Sequence, residues 1–116
     1  MPTLPTADIT LPDFIFSSKI DSLTPWFLDA HTGESRTRAA LLARVDALAH
    51  GLQTHLGVFP TSILGIGPVV SLVLPNIVDF PTAVWAAHRA GATVAPSSAS
   101  ATVDELVQQF RLVGTF

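Results

Sequence analysis

The sequence predicts an α/β fold, a partial three-layer arrangement with a small parallel sheet (βαβ) flanked by helices. Three observations predict it. Apolar residues recur with a helical period through the first half of the chain. A continuous apolar and β-branched run, VVSLVL, occupies residues 69–74. From there, helix-like and strand-like segments alternate. Alternation implies a mainly parallel sheet, because parallel strands need a long crossover and a helix is the usual one.

Residues 1–24 are expected to form an extended N-terminal arm. Pro2, Pro5 and Pro12 fall there among few apolar anchors, and proline favours extended backbone. Residues 25–116 are expected to form one unit. Pro25 argues against a helix running through it. Residues 26–29 read as a short strand and 30–34 as the turn after it. A helix is predicted over 37–55. Leu41, Leu42, Val45, Leu48, Ala49, Leu52 and Leu56 trace one face of a 3.6-residue period. Thr37 can cap its start and Gly57 can end it in a left-handed turn.

Residues 57–68, GVFPTSILGIGP, read as a loop with three glycines and two prolines. The run at 69–74 fits a strand buried on both faces. Pro75 and Asn76 end it. A second helix is predicted over 78–89, with Phe80, Ala83, Val84 and Ala87 on one face and Pro81 in the tolerant first turn. Gly91 ends that helix, and 92–95 forms a second strand. The rule for crossovers makes the connection between the two strands right-handed. Thr102 and Glu105 form a capping box. The helix they open presents Val103, Leu106, Val107, Phe110 and Val113.

The chain has 116 residues, 48% of them hydrophobic and 13% charged. That is too apolar for disorder, and the low charge implies that some apolar surface is covered by something else. That something is a partner, an oligomer mate or a missing part of the same fold, and self-association or a protein partner is expected at the uncovered sheet edge. Net charge is −3, and the six Lys and Arg do not cluster, so nothing draws a nucleic acid or an anionic membrane. The absence of cysteine excludes disulfides and thiolate chemistry. No signal-peptide pattern and no spanning apolar run occurs, so a cytoplasmic location is expected.

The segment from Val69 onward carries an ordered set of short motifs. They are Leu74-Pro75-Asn76, Asp79-Phe80, Arg89-Ala90-Gly91-Ala92, Val94-Ala95-Pro96 and Asp104-Glu105-Leu106. Upstream stand Phe27-Leu28-Asp29, Thr32-Gly33-Glu34, Leu41-Leu42-Ala43-Arg44-Val45, and Leu48-Ala49 with Gly51-Leu52. Together they resemble the N-terminal domain of adenylate-forming enzymes of the acyl-CoA synthetase and 4-coumarate–CoA ligase type, as found in fungi. The resemblance covers about residues 25–114 and implies an incomplete N-terminal subdomain of a much larger AMP-binding ligase.

Two departures stand out. Residues 59–67 replace the family's short turn before the strand, as a loop variant or a gene-model error such as a retained intron. Ser97-Ser98-Ala99-Ser100 stands where an Asn-Pro or similar pair is usual. The family's phosphate-binding loop with its Lys, its adenine- and ribose-binding segments and its C-terminal lid have no counterpart here. The resemblance implies ATP, Mg and CoA for the parent reaction and none of them for this fragment.

No catalytic, cofactor-binding or metal residue is therefore assigned. His50 and His55 lie on different helix faces, and they and His31 read as surface or half-buried residues rather than as metal ligands. His88 and Arg89 suit a helix C-terminus. Ser97, Ser98 and Ser100 lack an activating base and read as a polar loop. Asp79, Asp104 and Glu105 suit helix N-termini, and Trp26 and Trp85 suit a core or an interface. The expected function is a truncated acyl-CoA ligase, inactive alone. Alternatives are a non-catalytic partner-binding remnant, or a small protein repurposed in a biosynthetic pathway of secondary metabolism.

Overall fold

A computed structural model describes residues 9–17, 23–60 and 67–114. In order it contains α1 (Leu11–Phe16), β1 (Pro25–Leu28), β2 (Ser35–Thr37), α2 (Arg38–Leu56), β3 (Val69–Val73), α3 (Phe80–Arg89), β4 (Thr93–Ser97) and α4 (Val103–Val113). The fold is mixed α/β with a small parallel sheet, as the alternation predicts. β3 and β4 pair in parallel, from Val69 opposite Thr93 to Val73 opposite Ser97. β1 and β2 form a separate antiparallel hairpin, with an irregularity between Pro25 and Phe27.

The helix ends follow from local chemistry. The Thr37 hydroxyl accepts from the Ala40 amide at 3.2 Å. Gly57 closes α2 at φ 64°, in the left-handed conformation that spares the cost of a Cβ. At α4 both halves of the capping box form: Glu105 N–H donates to Thr102 Oγ1 at 3.3 Å, and Thr102 N–H donates to Glu105 Oε2 at 2.9 Å.

The core lies between α2 and α3. Leu41, Val45 and Ala49 of α2 meet Ala86, Ala87 and Ala90 at the end of α3, with Val58, Ala92 and Phe16 completing the cluster. Alanines let the two helix backbones approach closely. Leu48 and Leu56, on the predicted face of α2, are exposed. On α3 the buried residues are Thr82, Ala86 and Ala87; of the predicted row only Ala87 is among them, and Phe80, Ala83 and Val84 are half-buried.

Several expectations need correction. Within residues 1–24, expected as an extended arm, 11–16 form a helix. Thr10 Oγ1 accepts from Asp13 N at 3.2 Å and Pro12 occupies the first turn. Phe16 enters the core, stacked on Trp26 at 5.6 Å between ring centroids, with Trp85 edge-on at 5.5 Å. Trp85 therefore packs on residues of this chain, Phe27 among them at 5.8 Å. β2 carries no apolar run and escapes a periodicity search. β4 continues through Pro96 to Ser97, where a loop was expected; proline is tolerated because the strand lies at the sheet's edge. β3 is half-buried, with Val73 exposed, rather than covered on both faces. Residues 61–66, most of the unusual insert, lie outside the described residues. No helix among those described is long and apolar enough to cross a membrane.

Candidate functional site

A hollow lies where β3 ends, which is where open α/β sheets place their ligands. One wall is the turn of the β1–β2 hairpin. Asp29 Oδ1 accepts the backbone N–H of His31 at 2.8 Å and that of Thr32 at 3.0 Å. Asp29 N–H donates to Glu34 O at 2.7 Å, and Gly33, at φ 75°, donates from its N–H to Asp29 O at 2.9 Å. The amides of Thr32 first, then His31, hold the Asp29 carboxyl below the usual carboxylate range.

The other wall is the segment between β3 and α3. Ile77 N–H donates to Pro75 O at 2.9 Å and Phe80 N–H to Ile77 O at 3.1 Å. The cleft between the walls measures ≈ 350 Å³ and is lined by Phe27, Leu28, Asp29, His31, Asn76 and Phe80 among others. A second, shallower hollow of ≈ 560 Å³ opens on the far side of the segment, between Arg44, Leu48, Leu74 and Asp79.

A buried arginine fixes the segment that divides the two hollows. Arg36 is 8% exposed. Its Nη2 donates to Glu34 Oε1 at 2.7 Å and its Nε to Asp79 Oδ1 at 3.1 Å, while Arg44 Nη1 reaches the same oxygen at 3.2 Å. Hydrogen bonds donated to Glu34, then to Asp79, hold the guanidinium more firmly protonated than usual, against the cost of its burial. Asp79 is thus not simply a helix-start charge. It makes no side-chain cap bond to α3, and its carboxylate joins β2, α2 and α3. Sequence reasoning passed over Arg36, whose partner stands 43 residues away.

The other residues weighed from sequence do not converge. His31, His50 and His55 are exposed; the last two share α2, five residues apart, and His31 lies in the β1–β2 turn. No group of three His, Cys, Asp or Glu among the described residues is placed to hold a metal. Arg89 serves as a tie rather than a dipole partner alone. It pairs with Asp13 at 2.9 Å and with Asp46, and its guanidinium lies 5.9 Å from the centre of the Phe16 ring. Ser98 and Ser100 hydroxyls bond each other at 2.8 Å in a polar turn, and Ser97 Oγ is buried in β4 without a partner among the described residues.

Among the described residues, no set of donors suited to ATP and Mg comes together. The left-handed glycines among the described residues, 33, 57, 91 and 114, occur singly and not as a phosphate-cradling loop. The sole lysine, Lys19, follows no glycine-rich run. The cleft can hold a small molecule by shape; it presents no activated nucleophile among the described residues.

Comparison with known proteins gives a consistent result. The family described as AMP-binding enzyme matches residues 22–115. The chain is 33% identical over 114 residues to 4-coumarate–CoA ligase-like 3 of Oryza sativa subsp. japonica, covering 98% of this chain and 18% of that protein. It is 36% identical over 110 residues to acyl-CoA ligase AFT1-1 of Alternaria alternata, covering 89% of this chain and 19% of that protein. Among solved structures, the luciferase-like enzyme of the nonluminescent mealworm Zophobas morio superposes with a TM-score of 0.76 at 21% identity, over 97% of this chain and 26% of that one. CmiS6 superposes with a TM-score of 0.76 at 24% identity, over 97% and 29%. The chain thus spans about a fifth of the length of the curated relatives it matches.

Proposed function

The chain belongs to the AMP-binding enzyme family, and from that premise we propose that it is the N-terminal portion of an acid–CoA ligase, unable to activate an acid by itself. In the parent reaction a carboxylate attacks the α-phosphate of ATP and expels pyrophosphate. The thiol of CoA then attacks the acyl-adenylate carbonyl and AMP leaves. The observation that carries the reading is coverage: nearly the whole chain aligns, yet with only 18% and 19% of the two ligase relatives.

Stabilising the charge that develops on transferred phosphoryl groups is the main catalytic device of such enzymes. It needs amides, a cation and carboxylates aimed at one place, and the reading is supported by the lack of such a set in the cleft among the described residues. The cytoplasm, where ATP and CoA are at hand, is the compartment that goes with this reading, and a role in secondary metabolism is the pathway context. ATP–pyrophosphate exchange by the purified 116-residue chain, measured across a panel of aromatic and aliphatic acids, tests it. Exchange at the level of the no-enzyme control is expected. Acid-dependent exchange above that level overturns it.

A further inference from the structure

α4 stands apart from the other helices: none of its residues is buried. Leu106, Gln109 and Val113 are half-buried, Phe110 is half-buried at the border of that side, and Gln109 Nε2 donates to Pro96 O at 3.3 Å. That side therefore faces the sheet. Beside it, Val103 and Val107 are 75% and 38% exposed. With Phe110 they fall at i, i+4 and i+7, one row along the helix.

The charges flanking this row show what fits it. Asp104 and Arg111 are seven residues apart, two turns on the same flank. Among the described residues neither has an ion-pair partner. The acidic pair Asp104 and Glu105 lies in the first turn and Arg111 in the last. Such a face is complementary to itself when reversed.

We propose that α4 is a self-association surface, on which two copies of this chain pair antiparallel about a two-fold axis near Val107. Val103 of each copy then packs toward Phe110 of the other, and Asp104 of each meets Arg111 of the other. Two-fold symmetry makes every contact twice. Antiparallel helices also set the positive end of one macrodipole beside the negative end of the other. The pairing does not depend on the ligase reading. It moves the expected self-association from the sheet edge to the helix, because Pro96 removes one amide donor from β4.

Sedimentation of the full chain tests the pairing over a range of about 5 to 500 µM, which spans weak interfaces of small area. The mass should rise from 12.3 kDa toward twice that value and go no further. Arg111→Glu turns two attractions into two repulsions and should weaken association about tenfold. Adding Asp104→Arg should restore it to within about threefold, since the pairs are remade with signs exchanged. The chain has no cysteine, so a second arm uses single cysteines. Val107→Cys should form an intermolecular disulfide under mild oxidation much faster than Leu112→Cys, on the far side of the helix. A monomer throughout, an assembly larger than a dimer, a charge exchange that fails to restore a properly folded variant, or equal cross-linking at the two positions would each overturn the proposal.

Discussion

Replacing Gly91 by alanine tests whether the turn between α3 and β4 is as tightly built as its geometry implies. Gly91 sits at φ 93°, where an L-residue is strained. A Cβ there would also lie 2.7 Å from Pro60 Cδ and 2.8 Å from Pro60 N, and would overlap Cγ. The backbone term alone is worth about 1–2 kcal/mol. Displacing a proline ring and its backbone nitrogen adds an overpacking cost of about 1–3 kcal/mol. Gly57→Ala is the matched control. Its φ is 64° and nothing lies within 4 Å of the added carbon, so it should lose only the backbone term. Urea unfolding followed by tryptophan fluorescence reads both variants, since Trp26 and Trp85 lie 6.5 Å apart in the aromatic cluster. Gly91→Ala should be the worse by about 1–3 kcal/mol. Equal losses would refute the argument that Pro60 presses on this turn.

Three further outcomes follow from contacts described above. Arg36→Ala should lower stability by about 1–2 kcal/mol, discounted for its half-exposed carboxylate partners, and Arg36→Lys should recover little because a point charge cannot serve two carboxylates with the same fork; full recovery by lysine in urea melts would contradict this. The lowered Asp29 pKa contributes stability present above the unfolded value, 3.8, and lost as pH falls through the folded one; amide exchange at His31 and Thr32 should accelerate below that pH, and Asp29→Asn should flatten the response. Thr102→Ala removes one half of a capping box and should cost about 1 kcal/mol, read as lost helicity in α4, while a change confined to α2 would count against it.

What the sequence made legible was whatever is decided within one turn of chain. α2 and α4 announce themselves because an apolar period and a capping residue lie side by side. β3 does so because five successive residues suit a strand. β2 did not, since Ser35, Arg36 and Thr37 are polar and become a strand only when β1 pairs with them. α1 carries a local signal that the expectation of an extended arm did not use: Thr10 and Asp13 have the spacing of a cap, but six residues are too few to show a period. The candidate site was harder still. Its lining residues on the two walls, His31 and Asn76 at the nearest, are 45 residues apart in sequence, and the Arg36–Asp79 tie that fixes one wall has no local signature. The unusual length before β3 was legible as an anomaly against the family pattern, not as a structure.

Gly91 is met from two directions. Pro60 abuts it from one side, and a Cβ on Gly67 would overlap its carbonyl oxygen and lie 3.1 Å from its carbonyl carbon. Pro60 and Gly67 therefore stand near each other, on either side of Gly91. Closing a loop costs little more as it lengthens, about 0.6 kcal/mol for each doubling. Between those two residues the polypeptide can grow or shrink in evolution with scarcely any effect on the α2–α3 core, provided both anchors stay. A stretch of coding sequence gained in frame there would escape selection for foldability. The same doorway is where a peptide tag could be spliced into the chain and leave the rest undisturbed.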